Sequence, residues 1–495
     1  MTSLRYIFLT ILLLISGCGD SPPEIALGFG IAQGPRNLDP RLATDAASER
    51  INRLLYRRLV EFDDSSRPVP GIADWEQLTP THYRLTLGDQ GRRFGDGSWL
   101  TAHDVAATYR SVLDAATGSP HRATLMLIER IEVLNEDQVD FYLDHADALF
   151  PAYLGLGILP ASRIQQNQGF ERAPLGSGSF QLVAWPEPGR LVLERRRDGL
   201  RIAFITVPDA NVRAMKLRRG EVHLVQNDLP PELVGWLREQ PELKVTTRPG
   251  VNFSYLGFNL EDPVTGELKL RQAIAYALDR EAILQHLFQG LGRKANALLP
   301  PEHWAGVAEL TGYAHDLDKA RDLLQSLGYN DRHRPRLTYK TSSDAFRLRI
   351  ATLIQAQLAK AGIDISIQSY DWGTFFGDIR AGRFQLFSLT WVGVRTPDIF
   401  RYVFHSESLP PAGANRGRYH SPLIDALIDQ ARAEPDLAAQ AGLYRAIQAQ
   451  LLVDLPYIPL WYEDQVLVTR AEVQGYTLAP DGRYDGVEHL IWKPQ

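Results

Sequence analysis

The sequence predicts an α/β chain, rich in strands through its first half and alternating strand with helix from about Gly250 onward. Three observations carry that prediction. Period-two alternation recurs early, in Tyr83, Leu85 and Leu87, in Ile131 and Val133, in Val139, Phe141 and Leu143, and in Leu191 and Leu193. Turn residues such as Asn135 to Asp137 and Pro188-Gly189 separate these runs. Beyond Gly250 the period becomes helical: Ala320, Leu323, Leu324 and Leu327 share one stripe that Gly328 closes, and Phe346, Ile350, Leu353, Ile354 and Leu358 share another that stops near Gly362. Ile363, Ile365 and Ile367 then alternate as a strand. No low-complexity linker cuts the chain into beads, so its lobes are expected to interleave.

At the start, Arg5, the apolar run Ile7 to Ile15 and the small pair Ser16-Gly17 stand in the order of a secretory signal. The run is well short of the roughly 20 residues of a permanent span. Cys18 follows, the only cysteine in 495 residues, so it can form no internal disulfide. "ISGC" resembles the lipobox of bacterial lipoproteins, which implies that residues 1–17 are removed and that Cys18 becomes the lipidated first residue. The expected location is extracytoplasmic or periplasmic, with a membrane as partner through the lipid.

The balance of 53 basic against 59 acidic residues, a net −6, argues against nucleic acid as a partner. Two basic clusters, Arg195 to Arg197 with Arg201, and Arg213 with Lys216, Arg218 and Arg219, lack interleaved aromatics and read as solvated faces. No G-x-S-x-G elbow, H-E-x-x-H pair, Walker loop or G-x-G-x-x-G occurs. "LGSGSF" (175–180) leads into the strand "FQLVAW" and reads as a turn. The twelve histidines show no metal-binding pair. No catalytic residue, metal or cofactor is expected.

Six separated segments then carry a family resemblance: "NLDPRLATDAASERINRLLYRRLVEFD" (37–63), "RRFGDGSWLTAHDVAATY" (92–109), "PLGSGSFQLVAW" (174–185), "PGVNFSYLGFNLEDP" (249–263), "RQAIAYALDREAIL" (271–284) and "LPYIPLWYED" (455–464). In this order they resemble the family 5 extracytoplasmic solute-binding proteins, the peptide- and nickel-type receptors of ABC importers. Phe94, Asp96, Gly97, Leu100, Thr101, Ala102, Asp104 and Val105 keep the most recognisable stretch. It is a fold signature, since Thr101 or Asp104 can cap the helix that begins there while Val105 and Tyr109 share a face.

The resemblance implies a two-lobed periplasmic-binding-protein-like fold with crossing strands and an extra subdomain in the first lobe. The implied division is signal peptide 1–17, lipidated N-terminus and start of lobe I 18–44, extra subdomain 45–172, lobe I 173–250, lobe II 251–467 and a return to lobe I at 468–495. A cleft between lobes suits a receptor, because closure buries the solute and changes the outer surface offered to a permease.

Candidate cleft residues are Phe253 and Tyr255 on a crossing strand, Trp372 after a strand end, Trp391 opening "WVGVRTPDIF", and Trp461 and Tyr462 at the returning crossing. His121 and Arg380 join them by position in the resemblance. In the family's peptide receptors the segment opened by the tryptophan continues with an aspartate that pairs with the ligand's α-amino group. Here that step lands on Val394, followed by Arg395, with Asp398 the nearest acid. Arg395 offers a donor fork to a carboxylate or phosphate, and the expected ligand tolerates a blocked or absent amine. The function expected is the substrate-binding component of an ABC importer for peptides or peptide-like solutes, a monomer working with permease subunits. The alternatives are a receptor for a metal chelate, an opine-like compound or a glycan fragment, or else a ligand sensor or a secreted hydrolase.

Overall fold

The structure, a computed structural model, describes residues 26–187 and 189–493. Cys18 and the leader lie outside the described residues. Eleven of the described strands join one sheet: β1 (Leu27–Ile31), β2 (Phe180–Glu187), β3 (Arg190–Arg195), β4 (Arg201–Thr206), β5 (Leu224–Gln226), β6 (Leu243–Phe258), β7 (Gly292–Lys294), β8 (Arg336–Ser342), β9 (Asp364–Tyr370), β10 (Leu386–Trp391) and β11 (Tyr457–Arg470). Their order is β9-β8-β10-β6-β11-β5-β1-β4-β3-β2, and β7 also pairs with β11.

β6 and β11, 16 and 14 residues long, run antiparallel through both lobes. Leu243–Arg248 pairs with Gln465–Arg470 on one side of the crossing, and Asn252–Gly257 pairs with Tyr457–Glu463 on the other. Between them the register slips at Gly250, where a Cβ would lie 2.2 Å from the Glu463 carbonyl oxygen. Only glycine lets the two backbones approach this closely.

Each lobe has its own core. In lobe I, β1 lies parallel to β4 and β5, and Leu27, Phe29, Ile202, Phe204 and Leu467 pack together. In lobe II, β8 lies parallel to β9 and β10, as strands connected by covering helices do. Ile350, Ile354 and Leu358 pack there with Leu256 and Leu460. The predicted stripe at Ala320 to Leu327 is the helix Leu317–Ser326, stopped by Gly328 at φ +85. Leu353, at the edge of the second stripe, is 37% exposed, because the helix buries a narrower face than the stripe spans.

The strands Ala73–Thr79, His82–Leu87, Gln138–Leu143 and Ile128–Val133 form, in that order, a separate antiparallel sheet. The helix Ala102–Leu113 covers it with Val105 and Tyr109 buried. Asp104 accepts both the Thr101 N–H (2.7 Å) and the Thr101 hydroxyl (3.1 Å), fixing the helix start, and also accepts the Ala161 N–H (2.7 Å).

Candidate functional site in the cleft at the crossing strands

A cavity of about 670 Å³ opens where β6 and β11 pass between the lobes. Lobe I supplies Ala32 and Gln33 after β1, the start of α1 (Ala46–Leu55) and the loop Asn227 to Pro231. Lobe II supplies Asp344 to Arg347 at the start of α2 (Ala345–Ala361), with Thr390 and Val392 at the end of β10. Asn252, Glu463 and Asp464 form the floor.

The lobe I wall includes a turn of two left-handed residues. Asn227 and Asp228 both have positive φ, +59 and +54. Buried Arg213 secures the turn by donating to the Val207 and Asp228 carbonyls. Asn227 lashes it to β11, accepting the Val466 N–H at 2.8 Å and donating to Gln465 Oε1 at 2.6 Å. The turn is thereby held from several sides.

Charges of both signs face the cavity. Asp45 and Asp344 are occupied as N-caps, accepting from Ser48 and Arg347 N–H groups. Arg50 lies over the Tyr484 ring at 5.3 Å. Glu463 accepts the Ser254 hydroxyl at 3.0 Å and lies 3.5 Å from Arg347. Burial pushes the Asp464 carboxyl up to about 6, against the opposing pull of Arg293 and the Gly250 backbone.

None of the nine residues singled out from sequence is among those lining the cavity. Phe253, Tyr255 and Tyr462 pack together in a core on the opposite face of the sheet. The Tyr462 hydroxyl reaches the Ala297 carbonyl at 2.6 Å. Trp461 is buried against Phe288, itself a lining residue, so it backs the wall. Trp391 points away from the cavity that its neighbours Thr390 and Val392 line, and Arg416 covers its ring at 4.9 Å. Trp372 is 59% exposed and stacked on Phe376 outside the cleft. Arg380 is exposed at the end of the same helix, Trp372–Arg380. His121 lies in the subdomain with a buried, unpartnered Nε2.

Arg395 approaches Asp481 of the C-terminal segment at 2.9 Å and lies over Phe62 at 5.8 Å. Its contact joins the lobes. Asp398 is half-buried beside Asp147, Arg432 and Tyr153, and the desolvation there raises its carboxyl above the usual range. It lies outside the cleft lining. Arg432 bonds Asp147 at 3.0 Å, a second bridge from lobe II, here to the subdomain.

Among the described residues no cluster of three or more His, Cys, Asp or Glu is placed to hold a metal, and no helix is long and apolar enough to cross a membrane. The chain thus has two lobes, two crossing strands and a cleft between them, and residues 67–408 match the model of the bacterial extracellular solute-binding proteins, family 5. The chain belongs to the family 5 solute-binding proteins.

This solute-binding protein is 30% identical to the probable di/tripeptide-binding protein 5 of Pseudomonas aeruginosa, over 95% of this chain and 94% of the relative. The substrate-binding protein CtaP of Listeria monocytogenes superposes with a TM-score of 0.85 at 22% identity, covering 94% of this chain and 99% of that one. The periplasmic binding protein DppA of Helicobacter pylori, solved with the peptide STSA, superposes with a TM-score of 0.77 at 25% identity, covering 95% and 98%.

Proposed function

We propose that this solute-binding protein captures short peptides for an ABC importer, closes its lobes over them and hands them to permease subunits, while a lipid on Cys18 holds it to a membrane outside the cytoplasm. It works as a monomer and binds without catalysis. The cavity of about 670 Å³ falls within the roughly 300–1,000 Å³ of small-ligand pockets. The di/tripeptide-binding relative and the peptide-bound neighbour support the same ligand class.

The observation that carries the proposal is the pair Glu463 and Asp464 on the cleft floor. A peptide's α-ammonium needs a carboxylate when water is excluded, because an unpaired buried charge costs several kcal/mol. Val394 cannot supply one, but β11 can. Arg50 and Arg347, on opposite lobes, can take the terminal carboxylate, Arg347 by leaving its 3.5 Å contact with Glu463 once the ammonium arrives, and would draw the lobes together over it. On this view the ligand carries a free amine, and Arg395 serves lobe contact through Asp481.

Mass spectrometry of the small molecules that co-purify with the protein tests the ligand class. Peptides of two or three residues are the expected result. A stoichiometric non-peptide solute that peptides cannot displace would overturn the proposal.

A further inference from the structure

The basic run Arg195 to Arg197 reads from sequence as a solvated face, but the fold brings it to Arg57, just past α1, and to Arg92 and Arg93 of the signature segment. Together they line a second cavity, about 560 Å³, in which lobe I meets its extra subdomain. None of its lining residues belongs to the cleft.

Part of this charge is neutralised within the protein. Arg195 bonds Asp198 through two nitrogens and also donates to the Val487, Glu488 and Leu490 carbonyls. Arg92 pairs with Asp137 at 2.7 Å, and Arg197 lies 3.6 Å from Asp198.

Arg57, Arg93 and Arg196 have no carboxylate within ion-pair distance among the described residues. Of the two acids lining the cavity, Asp89 is exposed at the rim, and Glu488 accepts the Ser179 hydroxyl.

Three buried polar atoms in this lining lack any hydrogen-bond partner: Arg57 Nε, Arg196 Nε and Ser177 Oγ. Buried donors are almost always satisfied, and an unmet one costs free energy. Arg196 is nevertheless fixed in place, donating to the Gly176 carbonyl at 2.6 Å and the Arg93 carbonyl at 3.3 Å. Burial, and then the Arg57 charge, lower its proton affinity against the opposing pull of Asp96.

We propose that this cavity is a second ligand site, taking a phosphate group between Arg57, Arg196 and Ser177, with Arg93 at its mouth. Two planar forks and a hydroxyl suit a tetrahedral oxyanion, which accepts several charge-assisted bonds at once. The space exceeds one phosphate, so the ligand is a phosphate ester. A phospholipid headgroup and a free phosphate ester share that chemistry.

Calorimetric titration of the full-length protein tests the site, using inorganic phosphate and monomeric short-chain phosphatidylglycerol at an ionic strength held constant with chloride. Saturable phosphate binding is expected. Arg57→Gln and Arg196→Gln should each weaken it about tenfold or more, with folding checked by circular dichroism. Exposed Arg93→Gln serves if either variant fails to fold. Tighter binding of the lipid than of phosphate assigns the source to a headgroup, and equal or weaker binding assigns it to a free ester. Absence of saturable binding by either probe, or binding that survives Arg57→Gln and Arg196→Gln together, overturns the proposal.

Discussion

Replacing Asp464 by Asn should move stability and ligand affinity in opposite directions. In the ligand-free cleft, burial raises this carboxyl from 3.8 to about 6. The folded state therefore holds more protons than the unfolded chain between those values, and wild-type stability is lost across that window as pH rises. For a carboxylate sealed from water the rise would be worth about 3 kcal/mol at about 1.4 kcal/mol per tenfold change in proton affinity. Asp464 is only partly buried, and solvent in the open cleft reduces this to about 1–2 kcal/mol. Asp464→Asn removes the penalty, so at neutral pH the ligand-free variant should melt roughly 2 °C or more above wild type. The difference should vanish below about pH 4, where both side chains are neutral. Affinity for a free-amine tripeptide should fall about tenfold or more with the loss of a charge-assisted bond. Wild-type affinity should decline as pH drops through about 6, while the variant stays flat over that step. Calorimetric melts and titrations across pH measure all of this. A variant that melts no higher than wild type and binds normally would refute the role assigned to Asp464.

Gly250→Ala should destabilise by about 1–3 kcal/mol in urea unfolding, since its Cβ meets the Glu463 carbonyl oxygen at 2.2 Å where the crossing strands meet. Arg395→Ala should leave Asp481 poorly compensated and loosen the lobe contact. It should enlarge the ligand-free radius of gyration in small-angle scattering, and saturating ligand should reverse the change. Trp372→Ala should alter stability by less than about 0.5 kcal/mol, its ring being mostly exposed. Trp391→Ala should cost about 1 kcal/mol or more through the lost Arg416 contact. Denaturant unfolding separates the two tryptophans.

The parts of the fold legible in the sequence were those set by local pattern. Alternation at Val139, Phe141 and Leu143 gave a true buried strand face, and the Thr101–Asp104 spacing gave a true helix start. The cleft was harder for a specific reason. Among the aromatic residues, Trp461 is covered by the lining residue Phe288, while Phe253, Trp391 and Tyr462 face the other way, since successive strand residues alternate. The cavity is lined by their polar or small neighbours Asn252, Thr390, Val392 and Glu463. Polar residues interrupting apolar strands were the available signal. No local pattern could reveal the turn at Asn227 and Asp228, because Arg213 and β11 hold it from a distance. The second cavity combines residues 57, 92–93 and 195–197, which only the tertiary fold brings together.

Titration of the wild-type protein with one tripeptide, offered with a free and then with an acetylated amino terminus, tests the central claim most directly. The free peptide should bind with one-to-one stoichiometry, and acetylation should weaken it about a hundredfold or more, because Glu463 and Asp464 would then face no ammonium. Equal binding of the two forms, or binding of neither, would contradict a cleft built around a peptide's α-amino group.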